Sequence, residues 1–462
     1  MADRQIPTGR LARGAMLGRL AAGQAARGAG TRLAMLGRTE QARRVLAQRS
    51  TLQAAQQIVT VLGGMKGAAM KLGQMASVLD LDMIPADYRE MFRTKLSALL
   101  DSAPQVPFAD MIGVLEHDLG RVGRVFVDID PVPVAAASIG QVYRAQLRDG
   151  RVVAVKVKYP GVDRAVHADM HNVQFFSLLW KSFLPSAGDH DVLAEIARNI
   201  VAELDYRQEA RNQHRVASRY RGHPFITVPD SIGEFCTDNV LVTDFFEGRP
   251  FQDARTLPAA QRNHVGELVY RFYITAMFDD GEYCADPHPG NVLVADDGRV
   301  GFVDFGLYNT IEREHLELER QVLCAAEQYR ADEVHRLWVA RGIIGPDCAV
   351  LPEEVLEYVW SAAGWHLLDE EITVTSELAT SAVVLAADPR SSQHRGVRNL
   401  LLPPEHVFSR RADLFTLTAL GRIEATQNWH RLAREWMHHE APTTDIGREI
   451  EAWRRAAIRS ER

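Results

Sequence analysis

Apolar residues recur with helical spacing over residues 56–80, at alternating steps of four and three positions. The series consists of Ile58, Leu62, Met65, Ala69, Leu72, Ala76 and Leu79. The same segment holds four glycines, and each costs a helix interior about 1 kcal/mol relative to alanine. The pattern therefore predicts a helix that another part of the molecule approaches closely.

The pattern changes to that of β-strands over residues 126–157. Within this region the run Val-Val-Ala-Val-Lys156-Val follows an Asp149-Gly150 turn. A further strand is predicted over residues 239–245.

Helical spacing is found on both sides of that second strand. A long helix is predicted from about residue 191 to residue 219, and the chain after Gly306 is predicted to be mostly helical to its end. An apolar stripe between these segments consists of Val265, Leu268, Val269, Phe272, Ala276 and Met277. A strand-rich lobe followed by a helical lobe is a two-lobed α+β plan.

These changes predict five segments along the chain. They are a basic Arg/Ala-rich segment over 1–55, a helical extension over 56–125, a strand-rich N-lobe with a long acidic helix over 126–247, a helical C-lobe over 248–440 and a C-terminal tail over 441–462.

The bulk composition is that of a soluble globular protein, with 462 residues of which 46% are apolar and 24% charged. No apolar run is long enough to span a bilayer, and the first residues lack the apolar core of a secretory signal. Its four cysteines are scattered, which argues against both a zinc site and a disulfide scaffold. We therefore expect a cytoplasmic chain, with peripheral membrane association left open.

Charge is concentrated at the N-terminus. Residues 1–50 contain ten arginines and no lysine against Asp3 and Glu40, and they contain no aromatic residue. Without stacking groups, recognition of nucleic acid would be limited to phosphate contacts, and we expect no nucleic-acid partner. The segment is suited to an anionic membrane, where each basic residue is worth about 1 kcal/mol. A solvated tail is the alternative, and the sequence favours neither.

A predicted hairpin carries the most informative side chains. The runs Asn291-Val-Leu-Val and Val300-Gly-Phe-Val-Asp304 are joined through Asp297-Gly298, a dipeptide that favours a two-residue type I′ turn. With that turn, Asn291 would directly face Asp304. An amide oxygen opposite a carboxylate is a hard-oxygen site suited to Mg²⁺.

The residues around this hairpin have the spacing of a protein-kinase catalytic site. Asp286 precedes Asn291 by five positions, and Asp304 is followed by Phe305-Gly306. An isolated Asp-Phe-Gly or Asp-Gly turn is more often ordinary loop chemistry. The combination at this spacing predicts a nucleotide-phosphate site that takes ATP or ADP with Mg²⁺.

Lysine is rare, with six residues against 47 arginines, so the lysines that remain are enriched for positions that need a compact ammonium group. Lys156, in Val-Ala-Val-Lys, has the context of the lysine that pairs nucleotide phosphates with a helix carboxylate. The alternative is a solvated strand lysine, and we favour the functional role.

A loop upstream of Lys156 fits the template of a phosphate-covering loop if alanine replaces its first two glycines. Added Cβ atoms limit how closely the backbone approaches phosphate oxygens, so nucleotide binding would differ from that of usual kinases. The predicted nucleotide-binding residues are Ala135, Ala136, Ala137, Ser138, Ile139, Gly140 and Val142.

The predicted helix ending near residue 219 supplies three acids. On a continuous helix Asp205 and Glu209 share a face, whereas Glu203 points about 120° away from Glu209. One acid would then meet Lys156 and another a different cation, and a solvated acidic face is the alternative. His167 and His171 also lie four apart, and we interpret them as surface residues rather than a metal pair.

Together these residues resemble the UbiB/ADCK (AarF-type) atypical kinase family, over most of the chain from Lys66 to at least Glu405. The segments that match the family's motifs are Met70–Gln74 (Lys-x-Gly-Gln), Ala135–Gly140 (alanine-rich loop), Glu203–Asp205 (Glu-x-Asp) and Ala285–Asn291 (catalytic loop).

The resemblance implies a protein-kinase-like fold with an N-terminal helical extension over the usual protein-substrate groove. Lys71 and Gln74 would enter the active site near Glu203, and Glu209 would pair with Lys156. The resemblance further implies that Asp286 is the catalytic carboxylate and that Asn291 and Asp304 are Mg²⁺ ligands. Asp205 would be a further catalytic residue, and Ala154 a further nucleotide-binding residue. Asp244 and Phe246 would belong to the hinge that offers backbone groups to adenine.

Members of this family bind ATP, often hydrolyse it with stimulation by lipids, and support isoprenoid-quinone biosynthesis at membranes. Two departures matter here: the chain lacks the C-terminal membrane segment of some bacterial relatives, and no long activation segment follows Gly306. The second departure argues against an extended peptide substrate.

Three hypotheses follow. The leading one is an ATP-dependent enzyme, an ATPase or a kinase of a small or lipid-like molecule, with quinone precursors or quinone-biosynthesis enzymes as partners. The second is a nucleotide-binding switch that recruits lipids or biosynthetic enzymes without significant turnover. The third is an antibiotic-type small-molecule kinase, which should lack the Lys71 and Gln74 element. The acceptor and the oligomeric state stay open.

Overall fold

A computed structural model describes residues 106–137, 139–170, 201–284, 287–346, 348–387, 400 and 404–460. The chain divides into two compact units, residues 1–144 with 156–204 and residues 145–155 with 205–462. The Lys-x-Gly-Gln motif of the predicted extension, the basic N-terminus and the predicted catalytic residue Asp286 lie outside the described residues, so those predictions stand as predictions.

The first unit contains a small antiparallel arrangement of strands and two helices. In it Ala135 pairs with Val142, and the backbone N–H of Asp130 donates to the carbonyl of Arg144. The ring of Phe108 packs on Tyr143 with centroids 5.3 Å apart. Its elements are α1 (Phe108–Leu119), β1 (Phe126–Ile129), β2 (Ala135–Ala136), α2 (Val162–Met170), the start of β3 (Gly140–Leu147) and the end of β4 (Val152–Lys158).

The second unit begins with the hairpin end of β3 and β4, closed by a bond from the N–H of Leu147 to the carbonyl of Arg151. The carbonyl of Val152 accepts from the N–H of Phe245, which joins the next strand. The further strands of this unit are β5 (Ile226–Thr227), β6 (Val240–Asp244), β7 (Arg249–Pro250), β8 (Glu282–Cys284), β9 (Val292–Val294), β10 (Val300–Phe302), β11 (Tyr308–Thr310), β12 (Ile372–Thr373) and β13 (Thr426–Gln427).

Helices make up most of the second unit. The predicted apolar stripe forms one nearly continuous helix, in which a π-turn at Arg271–Thr275 separates α4 from α5. The helices are α3 (Tyr206–Arg219), α4 (Ala259–Tyr270), α5 (Ala276–Asp280), α6 (Arg313–Glu327), α7 (Ala331–Ala340), α8 (Pro352–Leu367), α9 (Ser376–Ala387), α10 (Pro404–Ile423), α11 (Trp429–Met437) and α12 (Asp445–Ser460). The residues predicted to be a C-terminal tail thus include a helix with a buried Ile450.

A four-stranded sheet in the order β5, β10, β9, β7 rests on this helical core. Strand β10 pairs in parallel with β5 and antiparallel with β9. The ring of Phe302 in β10 stacks on Phe272 in the π-turn, with centroids 3.6 Å apart and planes 10° apart. The sheet is therefore attached to the core at the strand that leads to Asp304.

The long helix predicted up to residue 219 is interrupted at Asp205. Its backbone angles are not helical, and its side chain accepts a hydrogen bond from the N–H of Gln208, so Asp205 caps α3. Short acidic side chains compete with helical backbone bonds in this way. The predicted shared helical face of Asp205 and Glu209 is therefore wrong, and the predicted 120° separation of Glu203 from Glu209 fails for the same reason.

A buried histidine in the second unit makes its stability depend on pH. The Nδ1 atom of His223 accepts hydrogen bonds from the N–H groups of Phe225 and Ile226, at 3.1 and 2.8 Å. Burial, followed by the nearby guanidinium groups of Arg454 and Arg271, lowers the pKa of His223 to about 4. Protonation of Nδ1 would also remove the acceptor for both bonds.

We expect the free energy of unfolding to fall as the pH drops below about 6.5, because the unfolded histidine takes up a proton that the folded one resists. His223 alone should account for a loss of about 2 kcal/mol between pH 7.5 and pH 5. Urea denaturation of the wild type and of His223→Asn, whose amide oxygen does not titrate, measures this share. If the free energy of unfolding depends on pH in the same way in both proteins, His223 is not the source of the pH dependence.

Candidate active site

The hairpin of β9 and β10 has a different turn from the one predicted. Val300 pairs with Val294, and the carbonyl of Arg299 accepts from the N–H of Ala295, so three residues form the turn. Gly298 has a φ of +87°, as expected for the last residue of a three-residue turn that ends in a bulge. The predicted two-residue turn is therefore wrong.

This difference shifts the strand register by one residue. The N–H of Val303 donates to the carbonyl of Asn291, so Asn291 faces Val303 rather than Asp304. In a continued ladder Asp304 would project to the opposite face. Strand β10 instead ends at Phe302, so local bonds beyond the ladder set the direction of Asp304.

Asn291 is placed by a single turn of 3₁₀-helix, Pro289–Asn291. The Nδ1 atom of His288 accepts from the N–H of Gly290 at 3.0 Å, and the carbonyl of His288 accepts from the N–H of Asn291 at 2.9 Å. The rigid ring of Pro289 begins the turn. The backbone of Asn291 is therefore fixed on both sides, by this turn and by Val303.

Asp304 is fixed by its own loop. Its Oδ1 atom accepts from the N–H of Gly306 at 3.1 Å, and its carbonyl lies 3.7 Å from the thiol Sγ of Cys284. Phe305 is fully buried in the helical core, edge-on to Phe272. The Asp-Phe-Gly segment is thus attached to the core by its aromatic residue while Asp304 stays half-buried.

An amide oxygen and a carboxylate oxygen at the two ends of one hairpin fit the hard-oxygen preference of Mg²⁺. No cluster of three or more His, Cys, Asp or Glu side chains suited to a metal occurs among the residues that the structure describes. His167 is exposed at the surface, as predicted, and its partner His171 lies outside the described residues. The donor types at this hairpin are therefore compatible with the predicted Mg²⁺ site, which stays a prediction.

The alanine-rich loop is a tight connection between β2 and β3 in the first unit. The N–H of Ala137 donates to the carbonyl of Gly140, and the carbonyl of Ile139 accepts from Tyr159. Ala135 and Ala136 are exposed, whereas Ile139 and Gly140 are buried. Ser138 is outside the described residues.

Strand β4 presents alternate residues to two faces. Val153, Val155 and Val157 are fully buried, whereas Ala154 and Lys156 on the other face are half-buried. That alternation places Lys156 on the face of β4 opposite the three buried valines. The neighbouring Lys158 is buried and bonds to Asp163 at 2.8 Å, a structural pair.

The predicted acids differ in their surroundings. Glu209 is 2% exposed in α3, whereas Asp205 is exposed and caps that helix. Glu203 precedes the cap and belongs to the first unit, as does Lys156, while Glu209 belongs to the second. The expected pairing of Glu209 with Lys156 stays a prediction.

The predicted hinge follows β6. Partial burial and the neighbouring carboxylate of Asp230 raise the pKa of Asp244. The ring of Phe246 lies against Gly301 of β10 and Gly248, so close that a Cβ at Gly301 would stand 2.5 Å from ring carbons. Sequence reasoning did not identify Gly301, although a glycine inside a strand often marks such a close approach.

The segment after Gly306 is short. Strand β11 (Tyr308–Thr310) pairs with β8, and α6 begins at Arg313. Tyr308 donates to Glu282 at 3.1 Å, and Arg219 at the end of α3 bonds to the same carboxylate at 2.8 Å. Only residues 307–312 lie between Gly306 and α6, and they include β11, which agrees with the predicted lack of a long activation segment.

The geometry can now be compared with known proteins. The model of the ABC1 atypical kinase-like domain matches residues 98–337, about half of the chain. The chain belongs to the ABC1 atypical kinase-like family. This membership confirms the resemblance seen in the motifs.

Relatives of this ABC1 kinase-like chain include AarF domain-containing protein kinase 1 of Xenopus laevis, 31% identical over 60% of the chain and 55% of that protein. Protein ACTIVITY OF BC1 COMPLEX KINASE 3, chloroplastic, of Arabidopsis thaliana is 34% identical over 53% of the chain and 35% of that protein. The chain thus spans about half or less of these curated relatives.

A solved structure is also similar. The Rv3197 protein of Mycobacterium tuberculosis, in complex with erythromycin, is 30% identical with a TM-score of 0.60, over 83% of this chain and 95% of that one. This structural similarity therefore covers more of the chain than the family model does. No described helix of the chain is both long and apolar enough to cross a membrane.

The contact between Phe246 and Gly301 gives a test of the hinge packing. We expect Gly301→Ala to lower the free energy of unfolding by about 1–3 kcal/mol, because the added methyl group overlaps the ring. When Gly301→Ala is made in the Phe246→Ala variant, the loss in free energy of unfolding should be at least about 1 kcal/mol smaller than in the wild type. Urea denaturation of the wild type, the two single variants and the double variant measures the coupling between the residues. If the losses in free energy of unfolding are additive, the contact is contradicted.

Proposed function

We propose that this chain is a Mg²⁺-dependent, ATP-using enzyme that hydrolyses ATP or phosphorylates a small or lipid-like molecule. The observation that carries the proposal is the open end of the hairpin, where Asn291 is fixed just before β9 and Asp304 just after β10. The chain also belongs to a family named for kinase-like domains. Both backbones are held by local bonds, and catalysis of phosphoryl transfer depends mainly on such positioning.

The proposal gives each candidate residue a role. Asn291 and Asp304 would hold Mg²⁺, which when bound neutralises charge on the phosphate oxygens of ATP. Lys156, on the half-buried face of β4, would bind nucleotide phosphates, and Asp286 would orient the attacking hydroxyl or water. The backbone after β6, including Asp244 and Phe246, would contact adenine.

The size of the acceptor is argued from the chain after Gly306. Because β11 and α6 follow Gly306 at once, the described residues 307–327 include no long segment on which to dock an extended peptide. The similar M. tuberculosis protein was solved with erythromycin, so a small molecule binds that relative. Both observations support a small or lipid-like acceptor rather than a protein.

The biological setting is proposed from the family resemblance and the charge of the chain. Support of isoprenoid-quinone or lipid metabolism would place the substrate in or near a membrane. The ten arginines in residues 1–50 would bring the chain to anionic lipid. The chain would then act as a peripheral membrane protein, with quinone precursors or quinone-biosynthesis enzymes as partners.

We expect Asp304→Asn to lower Mg²⁺-dependent ATP hydrolysis by at least about 100-fold, because a neutral amide no longer balances the charge of the metal. A matched control is Asp296→Asn, which removes an exposed carboxylate from the turn of the same hairpin and should retain wild-type turnover. Release of phosphate from ATP measures both, and turnover retained in Asp304→Asn would refute the site.

The same assay with vesicles tests the membrane setting. Wild-type turnover should rise with anionic vesicles and stay unchanged with neutral ones. Tight ATP binding with no turnover under any condition would instead favour the nucleotide-binding switch.

A further inference from the structure

One side chain of α3 reaches the Asp-Phe-Gly segment directly. Asn212 is 5% exposed, and its Nδ2 atom donates to the carbonyl oxygen of Phe305 at 3.2 Å. The two residues are 93 positions apart in the sequence. This buried bond fixes a backbone group that lies between Asp304 and Gly306.

The bonded carbonyl has a special place. The oxygen of Phe305 and the N–H of Gly306 belong to one peptide group, which is planar and trans, so they point in opposite directions. The N–H of Gly306 donates to the carboxylate of Asp304 at 3.1 Å. Fixing the oxygen therefore fixes the direction of the N–H group that holds Asp304.

The orientation of the Asn212 amide is set from the surface of α3. Arg211 can only donate, and it donates to Oε1 of Gln208 at 2.7 Å. The NH₂ group of Gln208 is thereby turned to Oδ1 of Asn212, at 2.9 Å. The NH₂ group of Asn212 must then face Phe305.

Helix α3, which carries this chain of hydrogen-bonded side chains, is itself fixed at both ends. Asp205 caps its first turn through Gln208, and Arg219 at its last turn bonds to Glu282 and Asp280 at 2.8 and 3.1 Å. Both ends of α3 are therefore tied within the second unit. A small rotation of the helix would break the bond from Asn212 to Phe305.

We propose that Asn212, oriented by Gln208, is a positioning residue that holds the Phe305–Gly306 peptide group and thereby orients the carboxylate of Asp304 for Mg²⁺. This inference rests on the proposed function, in which Asp304 is a metal ligand. It assigns to Asn212 no contact with the nucleotide or the metal, so its effect should be specific to metal use.

The test compares two adjacent buried amides. Asn212→Asp removes the donor to Phe305 while retaining the acceptor for Gln208. Gln213→Glu is the matched control, because Gln213 is fully buried in the same helix and its Nε2 donates to another backbone carbonyl, that of Pro229, at 2.8 Å. A purely structural role predicts similar effects for both variants.

We expect Asn212→Asp to raise the Mg²⁺ concentration for half-maximal ATP hydrolysis about tenfold, because a tenfold change corresponds to the loss of one hydrogen bond. The affinity for ATP without metal should change by less than about twofold. Gln213→Glu should leave the Mg²⁺ requirement at the wild-type value. Equal shifts in both variants, or no shift in Asn212→Asp, would overturn the proposal.

A second measurement does not depend on turnover. Amide hydrogen exchange of the nucleotide-free full chain, read from peptides that cover residues 303–310, should speed up about tenfold in Asn212→Asp and stay unchanged in Gln213→Glu. Exchange that is faster in Asn212→Asp and unchanged in Gln213→Glu would support the peptide anchor even if the wild type hydrolyses no ATP. The lack of ATP turnover in the wild type would then refute the proposed function alone. Unchanged exchange in Asn212→Asp would overturn the anchor.

Discussion

The stacked rings of Phe272 and Phe302 join the candidate site to the helical core. Phe302 is the last residue of β10, and Phe305, three positions later, is buried edge-on to the same Phe272 ring. Each aromatic pair adds about 0.5–1.5 kcal/mol to the stability that burial provides. Asp304 lies between these two anchored rings, so its backbone has little freedom to move.

The π-turn at Arg271–Thr275 explains how one helix supplies that anchor. An extra residue in the turn changes which side chains face inward, and all five of its residues are buried. Arg271 in this turn is held by Glu267 and by both carboxylate oxygens of Glu435. The charged side of the turn is thus satisfied by neighbours, while its Phe272 supports the sheet.

Helix α3 belongs to the same body as the Asp-Phe-Gly segment. Polar bonds from Asn212 and Arg219 attach it to Phe305 and to β8, and its Glu209 is buried. The carboxylate that the family resemblance pairs with Lys156 is therefore carried by the helix whose Asn212 holds the Asp-Phe-Gly backbone.

Much of the fold was predictable because periodicity reports burial. The strand over residues 240–244 and the apolar stripe of α4 and α5 follow directly from it. The hairpin register was not predictable, because Asp296-Asp297-Gly298 and Asp297-Gly298 are both common turns and one residue separates their registers. Likewise, no periodicity marks Asp205 as a cap, because only the backbone angles distinguish a cap from a helical residue.

Contacts between residues distant in the sequence were the least predictable part of the site. Asn212 follows Glu209 by three positions and shares its buried face, but the sequence gives no sign of its partner at Phe305. The most direct measurement is the binding of Mn²⁺ in the presence of ATP, followed by electron paramagnetic resonance in wild type and in Asn291→Leu. With the metal site at this hairpin, we expect one tightly bound ion per wild-type chain and binding at least about tenfold weaker in the variant. Equal binding by both proteins would contradict a metal site at this hairpin.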